Sequence, residues 1–313
     1  MVTLSDFFAG SYALALAPGF FRVYSHVGAL HALEEAELLH PTAVSGSSAG
    51  AQGAAFLASG MKPSQMIDEI LKVKRTDIWD WPGFLGILKG DLLQDIYKKV
   101  MPTNLFEDTI IPLGLSALDL WSWKVNLIHS GEIAPAIGAS ACFPGLFAPV
   151  QINDRMHIDA GLYDQYGLNA LPHMPADSKT IISICFDKSS VNTAYEAIPD
   201  SLREQGARLL CVVINNNVQV TPFTMENSGP ASYHGAKNAI LYALQSKSQC
   251  IEKIAENHYV TYIDAATSNA HVQNVKNLVS TSASRSRSSG RSRKARSVKR
   301  RSARSKSKGK VVY

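Results

Sequence analysis

The chain has little cysteine, no long apolar run and, between Arg285 and Lys310, no acid at all. Its four cysteines are Cys142, Cys185, Cys211 and Cys250, with no C-x-x-C pair and no cysteine–histidine cluster. This argues against a disulfide framework or a structural zinc and fits a reducing compartment. The uncharged stretch 7–21, FFAGSYALALAPGFF, is shorter than the ~20 apolar residues that a membrane helix needs. Asp6 precedes it, where a secretory leader carries positive charge. The expectation is an intracellular protein, cytoplasmic, membrane-peripheral or nuclear and not secreted, with YALALA as a buried strand. No carboxylate cluster has calcium-loop spacing, and no cofactor is expected.

What is present divides the chain in two. Residues 285–310 hold thirteen Lys or Arg, so the net charge of +5 over 313 residues leaves −8 for the remainder. The segment SRSRSSGRSRKARSVKRRSARSKSKGK has no apolar periodicity and cannot bury a core. A globular domain over 1–280 and a disordered basic tail over 281–313 are therefore expected. Apolar residues make up 46% of the chain, ample for the core of the first part. The tail suits a polyanion. Nucleic acid would bind by counterion release, and an anionic membrane would gain ~1 kcal/mol per basic residue near its surface. A nuclear import receptor is a third partner of the same chemistry. Tyr313 is the one aromatic near it, which argues against base stacking.

The order of elements is that of an α/β protein. A strand at Tyr12–Ala17 is broken by Pro18 and Gly19, and SHVGALHALEEAELL follows with Val27, Leu30 and Leu33 on one helical face. TAVS after Pro41 reads as a second strand, and AGAQGAAFLAS as a helix of small residues. This βαβα start favours a mainly parallel central sheet in a three-layer sandwich. SQMIDEILKVK and DLLQDIYKKVM read as amphipathic helices, and IIPLGLSAL, TIISICF and YVTYID as strands. ARLLCVVINNNV fits strand or helix, and AKNAILYALQSKSQCIEKIAE reads as one long helix.

Between the second strand and its helix, Gly46-Ser47-Ser48-Ala49-Gly50 matches G-x-S-x-G with Ser48 central. A serine on a sharp strand-to-helix turn needs tiny neighbours two residues away, and the helix N-terminus aims amides at an oxyanion. The same letters also suit a plain glycine–serine loop. A nucleophile needs a base. His129, His157, His173, His234, His258 and His271 follow Ser48, none in an evident turn motif, so a Ser–His–acid arrangement has no marked histidine. Asp159 in RMHIDAGLYDQYG ends a short strand before Ala160 and Gly161, as a base at a sheet edge or as a simple Asx turn.

These blocks, with LFEDTIIPLGLSALDL, IHSGEIAPAIGAS and SACFPGLFAPVQI in order between them, resemble the patatin-like phospholipases over roughly residues 12–170. That family of lipid acyl hydrolases uses a Ser–Asp dyad without histidine. The resemblance implies Ser48 as nucleophile on an elbow framed by Gly46 and Gly50. It implies Asp159 as base, with Ala160 in place of the first glycine of D-G-[GA]. It further implies a metal-independent carboxylic ester hydrolase of phospholipase A or lysophospholipase type, acting on phospholipid or another acyl lipid at a membrane surface. The family's oxyanion loop, G-G-G-x-[RK]-G, corresponds to Pro18-Gly19-Phe20-Phe21-Arg22-Val23, so Gly19, Phe20, Phe21 and Arg22 form the expected oxyanion set. Pro18 has no N–H to donate. Losing one oxyanion donor costs ~10²–10³ in rate, so the alternative is a catalytically weakened scaffold held on nucleic acid or membrane by its tail. Last, TDIWDWPGFLGIL gathers Trp79, Trp81, Phe84, Leu85 and Ile87 beside Pro82, as a lid for a lipid surface or as a cap on the core.

Overall fold

The computed structural model describes residues 2–81, 86–171, 179–189, 191–246 and 249–266. The basic tail, the expected boundary at 280, His173, His271, Pro82, Phe84 and Leu85 lie outside them.

Among the described residues the strands are Tyr12–Leu16 (β1), Ala43–Ser47 (β2), Gly86–Leu88 (β3), Leu113–Asp119 (β4), Lys124–Ile128 (β5), Gly145–Phe147 (β6), Val150–Ile152 (β7), Arg155–Asp159 (β8), Thr180–Cys185 (β9), Arg208–Asn215 (β10), Glu252–Ala255 (β11) and His258–Asp264 (β12). The helices are Leu4–Phe8 (α1), Val23–Glu35 (α2), Ala49–Ala58 (α3), Pro63–Lys72 (α4), Asp91–Val100 (α5), Ile133–Ser140 (α6), Asp200–Glu204 (α7) and Met225–Gln245 (α8). The main sheet runs β11-β12-β10-β9-β1-β2-β4-β8-β7, with β5 also on β4. From β12 to β4 the strands are parallel, while β5, β7, β8 and β11 pair antiparallel. The sheet is therefore mainly parallel, and its carboxyl ends share one edge, where ligands bind in such sheets.

Alternation along each strand feeds two cores. In β1, Tyr12, Leu14 and Leu16 join one cluster, and Ala13 and Ala15 the other. The first cluster lies under α2, α3, α4, α6 and α8. The second is thinner, closed by Tyr166, Leu168, Leu171 and residues 191–202 against alanines and cysteines of the sheet. Three layers result, one thick and one slim.

Two segments need correction or resolution. ARLLCVVINNNV is the strand β10, because Leu210, Val212 and Ile214 face one core while Leu209, Cys211 and Val213 face the other. Residues buried on both sides erase the alternation that marks a half-exposed strand. The stretch 236–256 is not one helix: α8 begins at Met225 and stops at Gln245, and Glu252–Ala255 is a strand. Asn257 at φ 60° turns that strand back into β12, a left-handed position that Asn tolerates.

Candidate active site

Register brings the first two residues together. Ser47 at the end of β2 pairs with Ser116 of β4, and its neighbour Ala117 pairs with Asp159 at the end of β8. Ser48 and Asp159 thus leave the sheet at the same edge, two strands apart. Ser48 Oγ donates to Asp159 Oδ2 at 2.6 Å. The other carboxylate oxygen, Oδ1, accepts the Gly161 N–H at 2.7 Å, so the Asx turn and the contact with serine coexist.

The turn that carries Ser48 is strained, at φ 51° and ψ −118°, a sparsely populated region for a residue with a side chain. Close packing explains the glycines. A β-carbon on Gly46 would collide with the Gly50 carbonyl, and one on Gly50 with the carbonyl of Leu16 in β1. The Ser48 amide donates to Ser140 Oγ at 2.9 Å, which holds the turn from α6. Asp159 itself donates its amide to the Cys142 carbonyl at 3.0 Å. Neither Ser140 nor Cys142 stood out singly in the sequence, although both lie in blocks quoted above.

Asp159 sits among apolar neighbours. Burial pushes its carboxyl up to about 6, against the lowering effect of the Ser48 and Gly161 hydrogen bonds. A carboxylate raised this far is a far better proton acceptor near neutrality than an ordinary aspartate.

The loop after β1 lies beside them. Gly19, Phe20 and Phe21 line the same pocket as Ser48 and Asp159. Their amides make no hydrogen bond among the described residues, and Phe21 sits at φ 53°, an outlier for an aromatic residue. Arg22 is a correction to the expected oxyanion set. Its amide donates to the Gly19 carbonyl at 2.9 Å, and its guanidinium to the carbonyls of Asn216 at 2.8 Å and Val218 at 3.3 Å. The guanidinium also stacks 5.3 Å from the Phe186 ring. Arg22 braces the loop from behind and is not among the residues that line the pocket. His26, unmarked in the sequence, adds to the brace. Its Nε2 donates to the Ala17 carbonyl at 2.7 Å, its ring meets Phe186, and burial pushes its pKa down to about 4.

No described histidine reaches the serine. His157 Nδ1 bonds the Arg155 carbonyl and Nε2 meets Asn126. His258 is buried 3.8 Å from Cys211 Sγ, His234 packs on Tyr233, and His129 lines a separate groove. Nor do three His, Cys, Asp or Glu side chains converge to hold a metal ion among the described residues.

From Ser48 a largely apolar pocket of about 900 Å³, open mouth included, runs between α3, α4 and α5, past Phe56, Ile70, Leu93 and Ile96. Phe20 and Phe143, which line the pocket, are exposed, and elsewhere so are Leu162, Tyr163 and, on the β4–β5 turn, Trp121 and Trp123. In the aromatic stretch, Trp79 packs on Phe223 and Arg75 while Trp81 and Ile87 face solvent, so it is neither wholly cap nor wholly lid. No described helix is long and apolar enough to cross a membrane.

The chain is similar in part to several known proteins. Uncharacterised NTE family proteins of Mycobacterium bovis and Mycobacterium tuberculosis are 27% identical over 204 residues, which is 61% of this chain and 53% of theirs. The chain thus spans about half the length of the curated relatives it matches. VipD from Legionella pneumophila aligns over 81% of this chain and 61% of its own, at 13% identity and a TM-score of 0.47. ExoU, from the ExoU–SpcU complex of the Pseudomonas aeruginosa type III secretion system, aligns over 75% and 52%, at 19% identity and 0.39. The family model for patatin-like phospholipases matches residues 14–172, which include the end of β1, the Ser48 turn and Asp159. By that match over half its length, with a mainly parallel sheet to carry it, the chain belongs to the patatin-like phospholipase family.

Proposed function

We propose that the protein is a metal-independent serine hydrolase that cleaves fatty acyl esters of membrane lipids through a Ser48–Asp159 dyad. The observation that carries this reading is the 2.6 Å hydrogen bond from Ser48 Oγ to Asp159 Oδ2 at the mouth of an apolar pocket. Asp159 takes the hydroxyl proton as Ser48 Oγ attacks the ester carbonyl. The free amides of Gly19, Phe20 and Phe21 stabilise the oxyanion, where preorganised donors are worth most. The departing alcohol then receives the proton from Asp159. In the second half a water gives its proton to the same carboxylate and attacks the acyl-serine, and the fatty acid leaves as Ser48 recovers its hydrogen.

The exposed Phe20 and Phe143 supply an apolar edge at that mouth, suited to the interface of a bilayer. The basic segment 285–310 adds attraction to a polyanion, an anionic membrane among them, that weakens as salt screens it. Release of fatty acid from defined phospholipids tests the reading. Ser48→Ala and Asp159→Asn should each lower turnover by about 10⁴-fold or more while the protein stays folded. Wild-type turnover no higher than that of these variants would leave the silent scaffold standing instead.

A further inference from the structure

The pocket that starts at Ser48 is apolar for most of its length, yet three polar side chains inside it have nothing to bind. Ser48, Gln52 and Phe56 recur every four residues at the start of and along α3, so they form one stripe facing the pocket. At the helical rise, Gln52 stands about 6 Å and Phe56 about 12 Å from Ser48 along the axis. The Phe56 ring meets that of Tyr97 on α5 at 5.9 Å. Tyr24, from the first turn of α2, lines the same space. Tyr24 and Tyr97 are only 2% and 4% exposed. Neither phenol nor the Gln52 amide makes a hydrogen bond among the described residues.

Gln52 is half-buried, and all three polar groups open onto the pocket with no partner from the protein, so what satisfies them there is water or a guest that brings its own oxygen. A plain hydrocarbon chain would leave all three unsatisfied. An anionic guest is opposed, because Glu69 lines the pocket and Glu226 acts on Tyr24. Both phenols also remain neutral donors, since burial pushes Tyr24 up to about 12 and Tyr97 well above the usual range. A neutral oxygen function about two helical turns from the ester is what the pocket can satisfy.

We infer that Tyr24, Tyr97 and Gln52 form a polar subsite for acyl chains carrying a neutral mid-chain oxygen, such as a hydroxyl, ketone or epoxide. The subsite deepens the hydrolase reading, on which it depends only for placing the ester at Ser48. Its binding test runs without turnover. In the full-length Ser48→Ala protein, methyl stearate, a mid-chain methyl hydroxystearate and the isomer hydroxylated beside the carbonyl compete against a fluorescent fatty acyl probe. The mid-chain alcohol should bind about tenfold more tightly than the plain ester, the value of roughly one well-made hydrogen bond, and the other isomer should show no gain. Combining Tyr24→Phe with Tyr97→Phe should bring the ratio to one. Gln52→Met gives a second reading of the same ratio should the double variant fold poorly. Equal binding of all three esters, as for a pocket end that simply holds water, overturns the inference. So does a preference that survives both sets of substitutions. Turnover by the parent protein is scored separately: a retained preference without hydrolysis sinks the dyad alone, and hydrolysis without a preference sinks the subsite alone.

Discussion

Two neighbouring turns at the carboxyl edge of the sheet solve the same problem in opposite ways. The turn after β1 and the turn after β2 each hold a side-chain-bearing residue at positive φ, Phe21 at 53° and Ser48 at 51°. Strain of this kind costs of order 1–3 kcal/mol and persists only where the surroundings enforce it. Around Ser48 the enforcement is chiefly subtractive, with Ser140 helping from α6: Gly46 and Gly50 are small because backbone lies where a side chain would go. Around Phe21 it is distant and additive, through the Arg22 guanidinium on the carbonyls of Asn216 and Val218 and through Phe186 and His26 behind them. A strained turn enforced by small neighbours leaves a motif in the sequence. One enforced by contacts nearly two hundred residues away does not.

Substitutions that remove one enforcement and spare the other break this comparison. Gly50→Ala should have the largest effect. Its methyl meets the Leu16 carbonyl, a backbone atom that cannot swing aside, so hydrolysis should fall by about 10³-fold or more and stability by about 1–3 kcal/mol. Initial rates and urea unfolding measure the two, and an active, stable variant would contradict the packing account. Arg22→Gln should come next. It removes the brace but none of the three amides, so kcat should drop by about 10²-fold, on the scale of one misplaced oxyanion donor, with KM little altered. A change confined to KM would instead place Arg22 in substrate binding.

The smallest effects sharpen the picture of Asp159. Its carboxyl is raised from 3.8 to about 6, so kcat/KM should rise with pH through about 6 as the base loses its proton. The same shift carries a sign for stability. The folded state binds the proton more tightly than the unfolded chain, so ionisation disfavours folding, not at all below about pH 4 and in full above about pH 6. Asp159→Asn should therefore be more stable than the parent at neutral pH, by at most about 3 kcal/mol, and the gain should vanish near pH 4. Thermal unfolding at both pH values decides it. A gain of equal size at both would point to something other than the charge.

The same contrast explains what could be read from the residues alone. β1, β2 and α3 were legible because Pro18 and Pro41 punctuate them and their small residues are distinctive. So was the Ser48–Asp159 pairing as an expectation, since each lies in a short block with a turn behind it. β10 was ambiguous because it is buried on both faces, and the run after Ala236 was misread because a hairpin at Asn257 interrupts an otherwise helical composition. Tyr24, Tyr97, Ser140 and His26 carried no signal, for Ser140 holds Ser48, His26 meets Phe186 and the two tyrosines share a pocket only once the chain has folded.

The Arg22 brace has a consequence for the order in which the site is born. Ser48, Asp159 and the whole family-matched segment emerge from the ribosome before Phe186, Asn216 and Val218 exist. A nascent chain halted after β8 would hold its serine and its aspartate but lack the brace that Arg22 makes behind Phe21. The braced site is then complete only late in synthesis, once β9 and β10 have docked.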